Sequence, residues 1–253
     1  QLAHEFSSPA CVIVKHANPC GVAVDLGIER AYERAFECDP KSAFGGIVAL
    51  NQHVSLELAQ ELAANPKADV LIAPSFDAEG LELLKTKRKN MRVIEAKKPN
   101  QDKLELRRID AGFLVQQTDK VLLDRPAWKV VSKAQPTAAQ WQDLELAWLV
   151  CAYTKSNAIV LAKDGQAVGI GAGQQSRVDS VEIAVKKADG RAKGGACASD
   201  AFFPFRDGLD AAAQSGISAV IQPGGSVKDR EIVDAADEHD LVMVLTGMRH
   251  FRH

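Results

Sequence analysis

The sequence predicts an α/β protein on three observations. Short apolar runs bounded by turn residues recur along the chain, stretches of helical periodicity separate them, and the second half approximately repeats the pattern of the first. In chain order the apolar runs predict a strand over residues 10–14, and periodicity predicts a helix over 28–38. A strand over 47–50, a helix over 56–63, a strand over 70–73, a helix over 78–87 and a strand over 92–94 follow. Residues 95–136 are charged and irregular and are expected to connect two lobes. Thr137-Ala138-Ala139-Gln140, just after Pro136, is a capping-box pattern. Trp141, Leu144, Trp148 and Cys151 then follow at helical spacing, and that tryptophan face reads as core. The second half offers a strand over 158–162, helices over 178–188 and 208–215, a strand over 219–222, a helix over 228–238 and a strand over 241–245.

The repeat keeps its order while matching weakly residue by residue. Strand, loop and helix lead to Ser42-Ala43-Phe44-Gly45-Gly46 and later to Leu71-Ile72-Ala73-Pro74-Ser75. Strand, loop and helix lead again to Ser199-Asp200-Ala201-Phe202-Phe203-Pro204 and then to Val220-Ile221-Gln222-Pro223. Two related lobes with a ligand site between them are the expectation.

The chain has 253 residues, 46% hydrophobic and 25% charged, enough for a large buried core. A net charge of −2 favours neither nucleic acid nor an anionic membrane as partner. Lys85-Thr86-Lys87-Arg88-Lys89 reads as a solvated helix end. Cys11, Cys20, Cys38, Cys151 and Cys197 are scattered without CxxC spacing, so neither a disulfide framework nor a thiolate metal site is expected, and a reducing cytoplasm fits. No apolar run reaches membrane-spanning length, the first residues lack signal-peptide organisation, and a chain opening on Gln1 reads as a fragment.

Four segments carry possible chemistry. In Val14-Lys15-His16-Ala17-Asn18-Pro19-Cys20-Gly21 an apolar strand delivers Lys15 and His16 to its tip, Asn18-Pro19 is expected to turn the chain, and Gly21 permits close backbone approach. A cation beside an imidazole favours the neutral base, useful where an amine loses a proton while an oxyanion is stabilised. A surface Lys-His pair accounts for the same residues, and composition alone favours it. In Gly169-Ile170-Gly171-Ala172-Gly173-Gln174-Gln175-Ser176-Arg177, alternating glycines ahead of a helix suit either an anion or a tight strand-to-helix turn. The spacing is not GxGxxG, and no strand-ending acid follows, which argues against a dinucleotide cofactor. Phe202, Phe203 and Phe205 around Pro204 read as core or as walls for a flat ring. The ending Met248-Arg249-His250-Phe251-Arg252-His253 is a basic tail directly after an apolar strand.

Together these segments resemble the AICAR transformylase family, the C-terminal part of bifunctional AICAR formyltransferase/IMP cyclohydrolase enzymes of purine biosynthesis. The likeness spans the chain and includes Lys-Ser-Asn-Ala-Ile at 155–159 and Arg-His-Phe-Arg-His at 249–253. It implies formyl transfer from 10-formyltetrahydrofolate to the 5-amino group of AICAR. It makes His16 the base for that amine, Lys15 the cation steadying the formyl oxygen, and Asn157 a neighbour of the transferring group. Gly45, Asp69, Ser176, Arg177, Phe202 and Arg249 would line the nucleotide site, Asp69 at the ribose. Pro204, Phe205 and Asp207 would hold the folate. Thr154, Ser156 and Asp200 would lie at a monovalent-cation site that takes potassium, with no zinc.

The fold the resemblance implies is a pair of duplicated cytidine-deaminase-like α/β/α lobes, 1–105 and 150–253, joined by a segment and helix over 106–149. A homodimer with shared active sites is also implied. The family's N-terminal IMP cyclohydrolase domain, and an arginine–tyrosine pair from the start of the transformylase domain, have no counterpart in this sequence. The expectation is therefore no cyclohydrolase activity in this chain and an incomplete nucleotide site. A zinc nucleobase deaminase of the same fold would need H-x-E and P-C-x-x-C, whereas Ala17 and Asn18 follow His16 and Gly21 follows Cys20. A non-catalytic nucleotide-binding fragment is the other alternative.

Overall fold

The computed structural model describes residues 1–65, 68–100 and 104–253, so part of the expected connector, 101–103, lies outside the described residues. The first half runs β1 (Ala10–Lys15), β2 (Asn18–Val24), α1 (Ile28–Cys38), α2 (Pro40–Ala43), β3 (Ile47–Leu50), α3 (Leu56–Ala64), β4 (Val70–Ala73), α4 (Ala78–Lys87) and β5 (Arg92–Glu95). The connector holds β6 (Leu104–Ile109), β7 (Gly112–Gln117) and β8 (Lys129–Val130). The second half runs α5 (Ala138–Ala152), β9 (Ile159–Lys163), β10 (Gln166–Gly171), α6 (Arg177–Ala188), β11 (Ala196–Ser199), α7 (Arg206–Gln214), β12 (Ala219–Gln222), α8 (Asp229–Glu238) and β13 (Val242–Leu245).

Eleven of these strands form one mixed sheet, in the order β5-β4-β3-β1-β2-β10-β9-β11-β12-β13-β8. Each half enters with an antiparallel hairpin, β1–β2 or β9–β10, and continues outward in parallel strands, β3-β4-β5 or β11-β12-β13. The halves meet at β2 and β10, which register at Ala23 and Gln166. One sheet face is covered by α5, whose Leu144 and Trp148 pack with Val12, Val160 and Ile221. The other face carries Tyr32 of α1, Leu58 of α3 and Leu84 of α4 in one half, and Val181 of α6, Leu209 of α7 and Ile232 of α8 in the other. Among the described residues no helix is long and apolar enough to cross a membrane.

Several expectations need correcting. Asn18-Pro19 is not the turn: His16 and Ala17 make it, and Asn18 and Pro19 open β2. A proline fits there because the β1–β2 register slips, from Ile13 opposite Gly21 to Val14 opposite Pro19. Gly169 and Gly171 lie within β10 and not in a ligand loop. A Cβ on Gly171 would stand 1.9 Å from the Ser180 carbonyl oxygen, and one on Gly21 would stand 2.0 Å from that of Ala35. The close approach read from these glycines is therefore made by the protein's own α1 and α6.

Candidate active site

The β1–β2 turn puts His16 at an exposed tip in the left-handed backbone region, φ 55°. That conformation costs a non-glycine residue about 1–2 kcal/mol, and Asp164, Asp189 and Asp240 adopt it at other turns. Lys15, one residue earlier, folds inward and donates from Nζ to the carbonyls of Phe44 at 2.7 Å and Gly45 at 3.2 Å. Gly45 is itself left-handed at φ 69°, and a Cβ there would stand 3.0 Å from Lys15 Nζ and 3.6 Å from Asp69 Oδ2. Lys15, Gly45 and Asp69 thus converge at the mouth of the turn. Beside them a cleft of about 190 Å³ runs along the junction of the halves, lined by Lys15, His16, Asn18, Asp39, Ser42 and Lys187 among others. Lys187 pairs with Asp39 across that junction. Cys20 also lines the cleft, but burial pushes its thiol up to about 12, so it stays protonated.

A second cluster is built around Arg177, the first residue of α6, with its side chain 8% exposed. Its guanidinium donates to Asn157 Oδ1 at 2.8 Å, Ser199 Oγ at 2.8 Å and Asp200 Oδ1 at 2.5 Å. Asn157 in turn donates from Nδ2 to the carbonyls of Gln174 and Gln175, at 2.9 and 3.0 Å, which fixes its amide orientation. Asp200 Oδ2 is buried without a hydrogen-bond partner among the described residues. An orphan carboxylate oxygen of this kind is costly unless something cationic meets it. Thr154 is fully buried and its hydroxyl donates to the Val150 carbonyl, leaving its oxygen free to accept. One link joins the two clusters: the Lys155 N–H donates to Asn18 Oδ1 at 2.9 Å.

A sequence model of the family described as AICARFT/IMPCHase bienzyme matches residues 1–187. The chain belongs to that family. It is 54% identical over 252 residues to the bifunctional purine biosynthesis protein PurH of Neisseria gonorrhoeae (strain NCCP11945), covering 98% of this chain and 48% of the relative. Identity is 52% over 252 residues to the protein of the same name from Neisseria meningitidis (strain FAM18), with the same coverage of 98% and 48%. It is 51% over 257 residues to that from Xylella fastidiosa (strain 9a5c), covering 100% of this chain and 49% of the relative. The chain thus spans about half the length of the curated relatives it matches.

Within this bienzyme-family chain, the residues singled out from sequence fall into separate groups. Lys15 and His16 line the cleft, with Gly45 and Asp69 beside Lys15. Asn157, Arg177 and Asp200 form the second cluster. Ser176 is the N-cap of α6, its Oγ accepting the Asp179 N–H at 3.2 Å. Phe205 is 55% exposed with Lys228 Nζ 4.3 Å above its ring, whereas neighbouring Phe203 is fully buried core. Phe202 is half-buried, and Pro204 and Asp207 are exposed beside Phe205. Arg249 is exposed with its guanidinium 5.0 Å from the Phe251 ring, and Ser156 bonds to the Arg252 backbone. None of Asn157, Arg177, Phe202, Phe205 or Arg249 lines the Lys15–His16 cleft.

Sequence reasoning missed Asn18, Asp39, Ser42, Lys187 and Ser199. Asn18 was read as a turn former, and the lysine–aspartate pair joins residues 148 apart, which no local pattern signals. Among the described residues no group of three His, Cys, Asp or Glu side chains could hold a metal ion.

Proposed function

We propose that this chain carries AICAR transformylase chemistry: transfer of a formyl group from 10-formyltetrahydrofolate to the 5-amino group of AICAR, giving FAICAR and tetrahydrofolate in purine (IMP) biosynthesis. Family membership supports the reading, and the observation that carries it is the Lys15–His16 tip, with an imidazole held in a costly conformation beside a cleft. His16 takes the proton of the attacking amine, and Lys15 steadies the oxyanion that develops on the formyl group. Asn157 sits beside the reacting groups and Arg177 behind it. Gly45, Asp69, Ser176, Phe202 and Arg249 contact the nucleotide, while exposed Phe205, with Pro204 and Asp207, stacks on the folate. The orphan Asp200 Oδ2, with the Thr154 and Ser156 hydroxyls, fits a monovalent cation such as potassium.

The repeated element order supports duplicated cytidine-deaminase-like lobes, the first ending with β5, since a boundary at 105 would cut β6. Because the Lys15 and Arg177 clusters do not share one cleft within a chain, we read the protein as a homodimer whose sites draw one cluster from each subunit. The relatives are named bifunctional purine biosynthesis protein and the family is described as a bienzyme, so we read the whole protein as adding IMP cyclohydrolase activity to this one and as working in the cytoplasm. The test is a formyl-transfer assay on the full-length protein. His16→Ala should cut turnover by about 10²-fold or more, the scale of general base catalysis, with AICAR binding far less affected. Near-normal turnover in that variant would remove His16 from the mechanism.

A further inference from the structure

The C-terminal segment contains a buried histidine, paired with a partly exposed aspartate, that has no role in the scheme above. His250 is 1% exposed, and its Nδ1–H donates to the Asp119 carboxylate at 2.8 Å to Oδ2 and 2.9 Å to Oδ1. A carboxylate only accepts, so the contact fixes the proton on Nδ1 and with it the ring's orientation. The ring also packs edge-on against Trp148 of α5, centroids 5.4 Å apart. Asp119 comes from the connector after β7, so the pair ties the last residues to two other parts of the molecule.

Two residues further on, Arg252 is paired with Ser156 in both directions. The Ser156 N–H donates to the Arg252 carbonyl at 2.9 Å, and the Arg252 N–H donates to Ser156 Oγ at 3.2 Å. The Arg252 guanidinium lies 4.5 Å from the Tyr153 ring centre, at the start of the same loop. Ser156 directly precedes Asn157, whose other side is held by Gln174, Gln175 and Arg177. A continuous series of contacts therefore runs from Asp119 through His250 and Arg252 to Asn157.

We infer that Asp119 and His250 are positioning residues for Asn157: their hydrogen bond fixes the C-terminal segment, which fixes the loop presenting the Asn157 amide. The inference rests on the transformylase reading of Asn157. Reactive groups tolerate little displacement, and an error of about 1 Å can cost up to about 10²-fold in rate. The experiment compares His250→Asn, whose Nδ2–H stands where the histidine Nδ1–H does and can donate to the same carboxylate, with His250→Leu, which fills the buried site but cannot donate. In the full-length protein, His250→Asn should keep kcat within about threefold, and His250→Leu should lower it about tenfold with the AICAR KM changed far less. Hydrogen exchange at the Ser156 amide should quicken in His250→Leu alone. Asp119→Ala and Asp119→Asn should divide in the same way, because the Asn oxygen can accept. A His250→Leu protein as fast as His250→Asn, with Ser156 equally protected, overturns the positioning role while leaving the transformylase reading intact. An unmutated protein without formyl transfer overturns both.

Discussion

Glu61 on α3 is crowded by other acids. Burial and the nearby carboxylates of Glu33, Glu29 and Glu57 push its carboxyl up to about 7, from 4.5 in the unfolded chain. The folded protein therefore holds a proton that the unfolded chain releases between those values. The stability this site contributes is complete below about 4.5 and is lost as pH rises through about 7. Glu61→Gln should accordingly gain stability over the parent as pH rises, visible as a larger difference in denaturation midpoint at pH 8 than at pH 5. Equal differences at both would show that Glu61 titrates normally. None of this was legible in the sequence, since Glu29 and Glu33 come from α1 and meet Glu61 only in the fold. The placement of Lys15 and His16 at the end of β1 was legible because they directly follow an apolar run. His16's left-handed backbone was not, because Asn18-Pro19 carried the stronger turn signal.

At the scale of elements, length and contrast decided what could be read. α5 announced itself through a capping box that the structure forms in full: Thr137 Oγ1 accepts the Gln140 N–H at 3.2 Å, and Gln140 Oε1 accepts the Thr137 N–H at 2.9 Å. β11, Ala-Cys-Ala-Ser, went unread because alanine and serine carry little strand preference, although all four residues are buried. β6 and β7 went unread for the opposite reason: nearly every residue of that hairpin is exposed, so no buried face imposes alternation. β10 was hidden by glycines that looked like a loop. Those glycines set the distance between sheet and helix, and Gly171→Ala tests this directly. With Ser180's carbonyl oxygen 1.9 Å from the new Cβ, α6 must shift away from the sheet, at a cost of about 3 kcal/mol or more in urea denaturation. A loss below about 1 kcal/mol would mean that α6 can slide to make room.

The whole molecule is a sheet assembled from two halves; an approximate repeat of strand, loop and helix was legible in the sequence, but β2, β10 and β11, central strands of that sheet, were not. Nor was the way the halves are fastened. Between β2 and β10 the backbone ladder is thin, and side chains do the joining. Arg34 of α1 donates to the Val24 carbonyl at 3.3 Å and to that of Asp164 across the junction, and Gln166 returns a hydrogen bond to the Arg34 carbonyl at 2.6 Å. Arg191, just past α6, donates to the carbonyls of Glu37 at 2.8 Å, Cys38 at 2.9 Å and Val168 at 3.1 Å, ending α1 and bracing β10. A planar fork is needed to reach them all. Arg191→Lys should therefore keep the charge yet lose about 1 kcal/mol of stability by thermal or urea unfolding, because it cannot match the part-buried carbonyls of Cys38 and Val168 together. A variant as stable as the parent would show that charge alone suffices.

The acceptors at this junction are chiefly main-chain carbonyls, which are dipoles fixed in place by the helices and strands they belong to. Mobile ions compete poorly for partners of that kind, whereas they loosen a partly exposed pair such as Lys187–Asp39 more easily. The joint is consequently indifferent to ionic strength at its core and sensitive to it only at its rim, where Lys187 and Asp39 flank the cleft. Salt can thus alter the mouth of the cleft without parting the halves that form it.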